Sequence, residues 1–204
     1  KPECIGPLAE PIPGPTFARL QRIARDYGIG LACGIAEFEP SCNSRFNSMV
    51  LLNREGDEIL RYRKVHLWET ENQWAEPGDS FPVADFEQMP TGMWICYDSR
   101  FPETGRSLAH NGAKLALVAT AWLGPGPEWV LATRSRAMDN GIFVVGSALQ
   151  GPHFHGPSLI VSPHGTILAQ GEEGRDMVVY AEVDDTAVER FRGRLPLLQH
   201  RRPS

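Results

Sequence analysis

The chain has 204 residues, and its 42% hydrophobic and 22% charged content fits one soluble globular domain with a sizeable core. A net charge of −5 argues against general binding to nucleic acid or anionic membranes, both of which need clustered positive charge. No apolar run reaches the ~18 residues of a membrane span, and the cysteines Cys4, Cys33, Cys42 and Cys96 form no CxxC pair, which points to free thiols in a reducing cytoplasm.

In chain order, the proline-rich opening "KPECIGPLAEPIPGP" reads as loop. "TFARLQRIARDYG" predicts a helix capped by Thr16, with Phe17, Leu20, Ile23, Ala24 and Tyr27 on one face and Gly28 as its stop. A buried strand is expected near 29–37, then two strands in "NSMVLLNREGDEILRYRKVHL" around the turn Arg54-Glu55-Gly56-Asp57. A loop rich in Trp, Glu and Pro runs to about residue 80. "MWICYD" is an apolar strand ending in polar residues, "FPETGRSLAHNGA" a helix with proline in its first turn, and "KLALVATAW" a buried strand. "PEWVLATRSRAMDNG" predicts a helix, "IFVVGSAL" a strand, and "SLIVSPHGTILAQ" a hairpin around Ser162-Pro163-His164-Gly165. A strand "MVVYAEVD", a short helix "DTAVERFRG" and an irregular basic tail complete the chain. Strands alternate with helices early and pair as hairpins late, the pattern of an α/β protein with mixed sheets. No repeat, low-complexity segment or boundary divides residues 1–204.

Two positions carry the chemistry. Cys96 stands where "MWICYD" turns into "SRFPE", at a strand end that can expose a side chain beside free backbone N–H groups. A thiolate there can attack a carbonyl; the alternative is a small core residue. A free thiol, with a pKa of about 8.5, needs a base or a cation beside it. None of the six histidines lies in a recognisable Cys-His signature. His153-x-His155 lacks a further ligand at metal spacing and reads as a solvated pair. Lys64, set among Val65, Leu67 and Trp68 in "RYRKVHLW", either snorkels to water or is held beside a reaction. A lysine fixed near a cysteine lowers the energy of the thiolate and can meet a tetrahedral oxyanion, while a glutamate moves the proton.

"RYRKVHLW…E…PGD" followed about thirty residues later by "ICYDSRFPE" resembles the nitrilase, or carbon–nitrogen hydrolase, superfamily. The resemblance extends through "LAEPIPGP", "EPGDSFPV", "ATAW", "RSRAMDNGIFVVGS", "GPSLIVSPHGTILAQ" and "RLPLLQHRRP". It implies a four-layer α-β-β-α sandwich of two mixed sheets, here without the family's first strand and helix, and therefore a longer natural protein. It implies a Glu-Lys-Cys site with Cys96 as nucleophile and Lys64 as catalytic lysine. Glu71 matches a supporting glutamate, with Glu69 as its competitor. Glu3, in "KPEC", matches the general base, with Glu10 as rival.

The resemblance further implies hydrolysis of a small-molecule amide or N-carbamoyl compound through a thioester, with no metal or organic cofactor. The backbone N–H of Tyr97 would join Lys64 in stabilising the oxyanion. Cys96-Tyr97-Asp98 is similar to the amidase and carbamoylase branches rather than to true nitrilases, which have Cys-Trp-Glu. Arg100 would meet a substrate carboxylate or form a salt bridge with Asp98 or Glu103. Trp122 and Trp68 would line the pocket mouth or pack as core. A homodimer or larger assembly is implied, built through "RSRAMDNG" and the tail 193–204. A catalytically silent interaction module, nitrile hydrolysis and acyl transfer to an amine are the competing readings.

Overall fold

A computed structural model describes residues 2–202, apart from the side chains of residues 2 and 3. Its first sheet has the order β1 (Leu31–Glu39), β2 (Ser44–Leu52), β3 (Glu58–Arg63). Its second runs in sequence order: β4 (Val83–Phe86), β5 (Met89–Ile95), β6 (Leu115–Thr120), β7 (Phe143–Ala148), β8 (Leu159–Val161) and β9 (Ile167–Gln170). The small sheet is antiparallel, with a parallel bridge between Glu10 and Glu37 at its edge. In the large sheet β5, β6 and β7 are parallel, and the flanking pairs are antiparallel.

Besides the short α1 (Pro2–Ile5) and the longer α2 (Pro15–Tyr27), helices α3 (Pro102–His110) and α4 (Gly126–Asn140) make the two parallel crossovers. Parallel neighbours require such long connections. Two more helices, α5 (Asp185–Arg194) and α6 (Leu197–His200), close the order.

Alternation along β2 shows how the layers arise. Met49 and Leu51 point between the sheets and share one apolar cluster with Leu60 and Tyr62 of β3, Met93 and Ile95 of β5, and Leu117 of β6. Val50 and Leu52 point the other way, against Phe17 and Ala24 of α2. Residues Leu108 and Ala109 of α3 and Trp129 and Ala137 of α4 join the large-sheet cluster. The result is helix, sheet, sheet, helix: the expected four-layer sandwich.

Several local expectations are corrected. The opening segment is a helical turn followed by a 3₁₀ turn at Gly6–Leu8, not loop. Gly14, not Thr16, is the N-cap of α2, and the Glu10 side chain accepts the Thr16 N–H at 2.7 Å. Tyr27 is exposed, outside the buried face. Residues 177–184 form no strand; Val178 and Tyr180 are exposed and find no ladder partner among the described residues. The tail contains α6.

The hairpin of β4 with β5 was not expected. It turns through Glu87 and Gln88, both at positive φ (52° and 68°). Such turns normally carry Asn or Gly, so the sequence gives no turn signal there.

Candidate active site

The β3 alternation decides where Lys64 goes. Leu60 and Tyr62 face the gap between the sheets, whereas Arg61 and Arg63 face Glu37 on the other side. Lys64 continues the inward set one residue past the strand end, which corrects its expected place within a strand. Its backbone is pinned on both sides: its N–H donates to the Asn47 carbonyl and its carbonyl accepts from Gly78 N–H, each at 2.8 Å. The side chain is 1% exposed, and Nζ donates to Glu71 Oε2 at 2.5 Å.

Glu71 sits in a 3₁₀ turn, Glu69–Gln73, and is itself held. Oε2 also accepts from Trp68 N–H at 2.6 Å, and Oε1 accepts from Asn47 Nδ2 at 2.8 Å. The competitor Glu69 is exposed. A buried ammonium needs a charged, well-bonded partner, and Glu71 supplies it.

Strand β5 ends at Ile95, so Cys96, Tyr97 and Asp98 lie not in a strand but in a 3₁₀ turn, Cys96–Arg100. Cys96 has a φ of 47°, a left-handed backbone that non-glycine residues adopt at a cost and that clusters at functional sites. Its sulfur lies 3.8 Å from the Ala121 carbonyl. Tyr97 is second in the turn, so its N–H is among those that a helical turn leaves without an internal partner.

Lys64, Glu71 and Cys96 open onto one cavity of about 550 Å³. Trp68, Tyr97, Arg100 and Trp122 line it too, so the structure brings together all the expected site residues except Glu3, whose side chain lies outside the described residues. Trp68 meets Tyr97 edge to face at 4.7 Å. Trp122, 2% exposed, is both pocket wall and core. Arg100 pairs with neither Asp98 nor Glu103. It donates to Glu128 Oε2 at 2.6 Å and stacks over the Trp122 ring at 4.5 Å. His155 lies against Glu173 at 3.1 Å, and among the described residues no group of three or more His, Cys, Asp or Glu stands as metal ligands.

Sequence reasoning passed over Asn47, Tyr62, His66 and the role of Asp98. Asp98 is fully buried and accepts four hydrogen bonds, from Ile95 N–H, the Tyr62 hydroxyl, and the backbone and ring N–H groups of His66. Burial, then the Asp98 carboxylate, pushes the Tyr62 hydroxyl far above the ordinary phenol range, so it stays a donor. The motif "CYD" contained this signal, but a local motif does not show that its aspartate reaches a second sheet.

The carbon–nitrogen hydrolase family model matches residues 3–192. The chain belongs to the carbon–nitrogen hydrolase family. This hydrolase is 33% identical to the omega-amidase NIT3 of Saccharomyces cerevisiae over 207 residues, covering 93% of the chain and 71% of the relative. The crystal structure of S. cerevisiae Nit3, described as a member of branch 10 of the nitrilase superfamily, superposes with a TM-score of 0.88 at 30% identity, covering 99% of this chain and 78% of that one. A variant of the amidase from Nesterenkonia sp. AN1 superposes with a TM-score of 0.80 at 29% identity, covering 91% and 69%. In that structure the acetamide moiety of fluoroacetamide is covalently attached to the active-site cysteine. This carbon–nitrogen hydrolase therefore stands with the amidase-like members of the nitrilase superfamily.

Proposed function

We propose that this hydrolase cleaves the carbon–nitrogen bond of a small-molecule amide, with Cys96 as nucleophile. The observation that carries the reading is the shared cavity: a cysteine on a left-handed turn and a buried lysine held by Glu71 open onto the same space. The Cys96 sulfur attacks the carbonyl carbon and its proton passes to a general base, for which Glu3 is the candidate by resemblance. The tetrahedral oxyanion is met by Lys64 Nζ and the Tyr97 N–H. The carbon–nitrogen bond then breaks, and the base returns the proton to departing ammonia. Water hydrolyses the thioester by the reverse route and restores the thiol. Glu71 keeps the Lys64 ammonium in place throughout.

The acyl group lies among Trp68, Tyr97 and Trp122. Arg100 stands at the same wall, steadied by Glu128 and Trp122, with the rest of its fork available to a substrate carboxylate. An ammonia-release screen over ω-amides, N-carbamoyl amino acids and aliphatic amides tests the reading, with Cys96→Ala beside the wild type. Turnover by the wild type alone supports it, and equal turnover by both ends it.

The same reading includes one domain over residues 1–204, a cytoplasmic setting suited to four free cysteines, and a homodimer. Supporting the dimer, Leu131 and Met138 are two turns apart on one face of α4, and both are exposed, as are Leu195 and Leu197 in the tail.

A further inference from the structure

We propose that Asp98 is a positioning residue that fixes the segment carrying Lys64 against the turn carrying Cys96. Lys64 follows β3 of the small sheet and Cys96 follows β5 of the large one, and among the described residues no strand of one sheet is hydrogen-bonded to a strand of the other. The sheets meet through apolar side chains such as Met49, Leu51, Met93 and Ile95. Such contacts have no preferred direction and would allow the two strand ends to slide relative to each other. A catalytic pair needs closer registration than that.

Asp98 supplies the direction. Oδ2 accepts from the Ile95 N–H at 3.0 Å, immediately before the cysteine, and from the Tyr62 hydroxyl at 2.7 Å. Oδ1 accepts from the His66 N–H at 3.0 Å and its ring Nδ1 at 2.8 Å. The Tyr62 oxygen in turn accepts from the Val65 N–H at 3.1 Å. One buried carboxylate thus binds positions on both sides of Lys64 and the residue preceding Cys96. His66 is further clamped by its ring stacking on Phe101 at 3.7 Å and 6°, and the Phe101 N–H closes the turn onto the Asp98 carbonyl at 3.0 Å.

Asp98, Tyr62 and His66 do not line the cavity. They act through Lys64 and Cys96 alone. A fully bonded network of this kind is worth more than its separate bonds, and it leaves the cysteine turn one backbone conformation.

For its kinetic arm this inference rests on the amidase reading. The test compares Asp98→Asn and Tyr62→Phe with Val188→Ala, a core truncation in α5 remote from the cavity. At a temperature where each is folded, kcat and KM are measured on the best amide of the screen. The rate of Cys96 alkylation by iodoacetamide is followed by mass spectrometry. An asparagine amide presents a donor where the carboxylate accepted two, so one side of the clamp opens.

Asp98→Asn should lower kcat about 100-fold, the scale of an ångström's misplacement, and Tyr62→Phe about 10-fold. KM should stay within about threefold of wild type in both. Both should slow Cys96 alkylation, because a turn released from the clamp no longer holds the sulfur aimed into the cavity. Val188→Ala should lose thermal stability but neither rate. Clamp variants that, like the control, lose only stability overturn the proposal. If Asp98→Asn does not fold, Tyr62→Phe decides by the same criteria. If the wild type turns over no amide, the amidase reading fails, and the alkylation rates still decide the clamp.

Discussion

At Lys64 the decisive quantity is exposure: an ammonium that is 1% exposed and donates to Glu71 at 2.5 Å is not a snorkelling side chain. Replacing it with methionine keeps the volume and removes the charge that would face the oxyanion. Lys64→Met should lower kcat about 100- to 1000-fold in the ammonia-release assay, the scale of a lost oxyanion donor. A loss below tenfold would deny it that role. Glu71→Gln keeps an acceptor for the Trp68 N–H but loses the ion pair, so its loss should be smaller than that of Lys64→Met under the same assay. Lys64 and Cys96 were legible in the sequence because each lies in a local motif. The hold of Asn47 on Glu71 was not, because the two are 24 residues apart and meet only when β2 delivers Asn47 to the inner face.

Among the elements, β1 to β3 separate two environments by strand alternation. Ser48, Arg61 and Arg63 turn away from the site and surround Glu37, which is fully buried. Burial alone would raise the Glu37 carboxyl, but hydrogen bonds from Arg63 and Ser48 and the charges of Arg63 and Arg61 outweigh it and hold it below the ordinary carboxylate range. A depressed folded-state value means that this contribution is complete above the unfolded carboxyl value, near 4.3, and fades as pH falls through the folded value. Glu37→Gln should therefore be less stable than wild type at pH 7 in chemical denaturation, with the gap narrowing in more acid buffer. A gap unchanged in acid would refute the linkage.

The loop after β3 offers a second prediction at this scale. A Cβ on Gly78 would stand 2.2 Å from the Arg63 carbonyl, next to the Lys64 peptide that Gly78 N–H binds. Gly78→Ala should push this loop away from Lys64 and lower kcat more than a thermal melt would suggest. The hairpins at 44–63 and 159–170 were readable from their turns, and α4 from its length and Gly141 stop. The turn at Glu87-Gln88 was hidden by residues that do not advertise positive φ, and 177–184 misled by strand-like composition without a partner.

In the whole molecule, the four layers bring the two strand ends to one cavity, a meeting that no local stretch of sequence dictates. The layer order was legible only through the resemblance, which covers nearly the whole chain; the order of strands and helices by itself pointed no further than an α/β protein with mixed sheets. The proposed homodimer belongs to this scale as well. Light scattering on the eluted protein should give twice the chain mass, and Leu131→Asp should shift it toward one chain; a wild-type monomer would remove the dimer. The most direct test of the central claim is a rapid acid quench during amide turnover, followed by peptide mass spectrometry. The peptide containing Cys96 should carry the mass of the substrate's acyl group, and it should carry none when the amide is omitted. An acyl group found on Cys4, Cys33 or Cys42 instead, or steady turnover with no acyl group on any cysteine, would contradict the account.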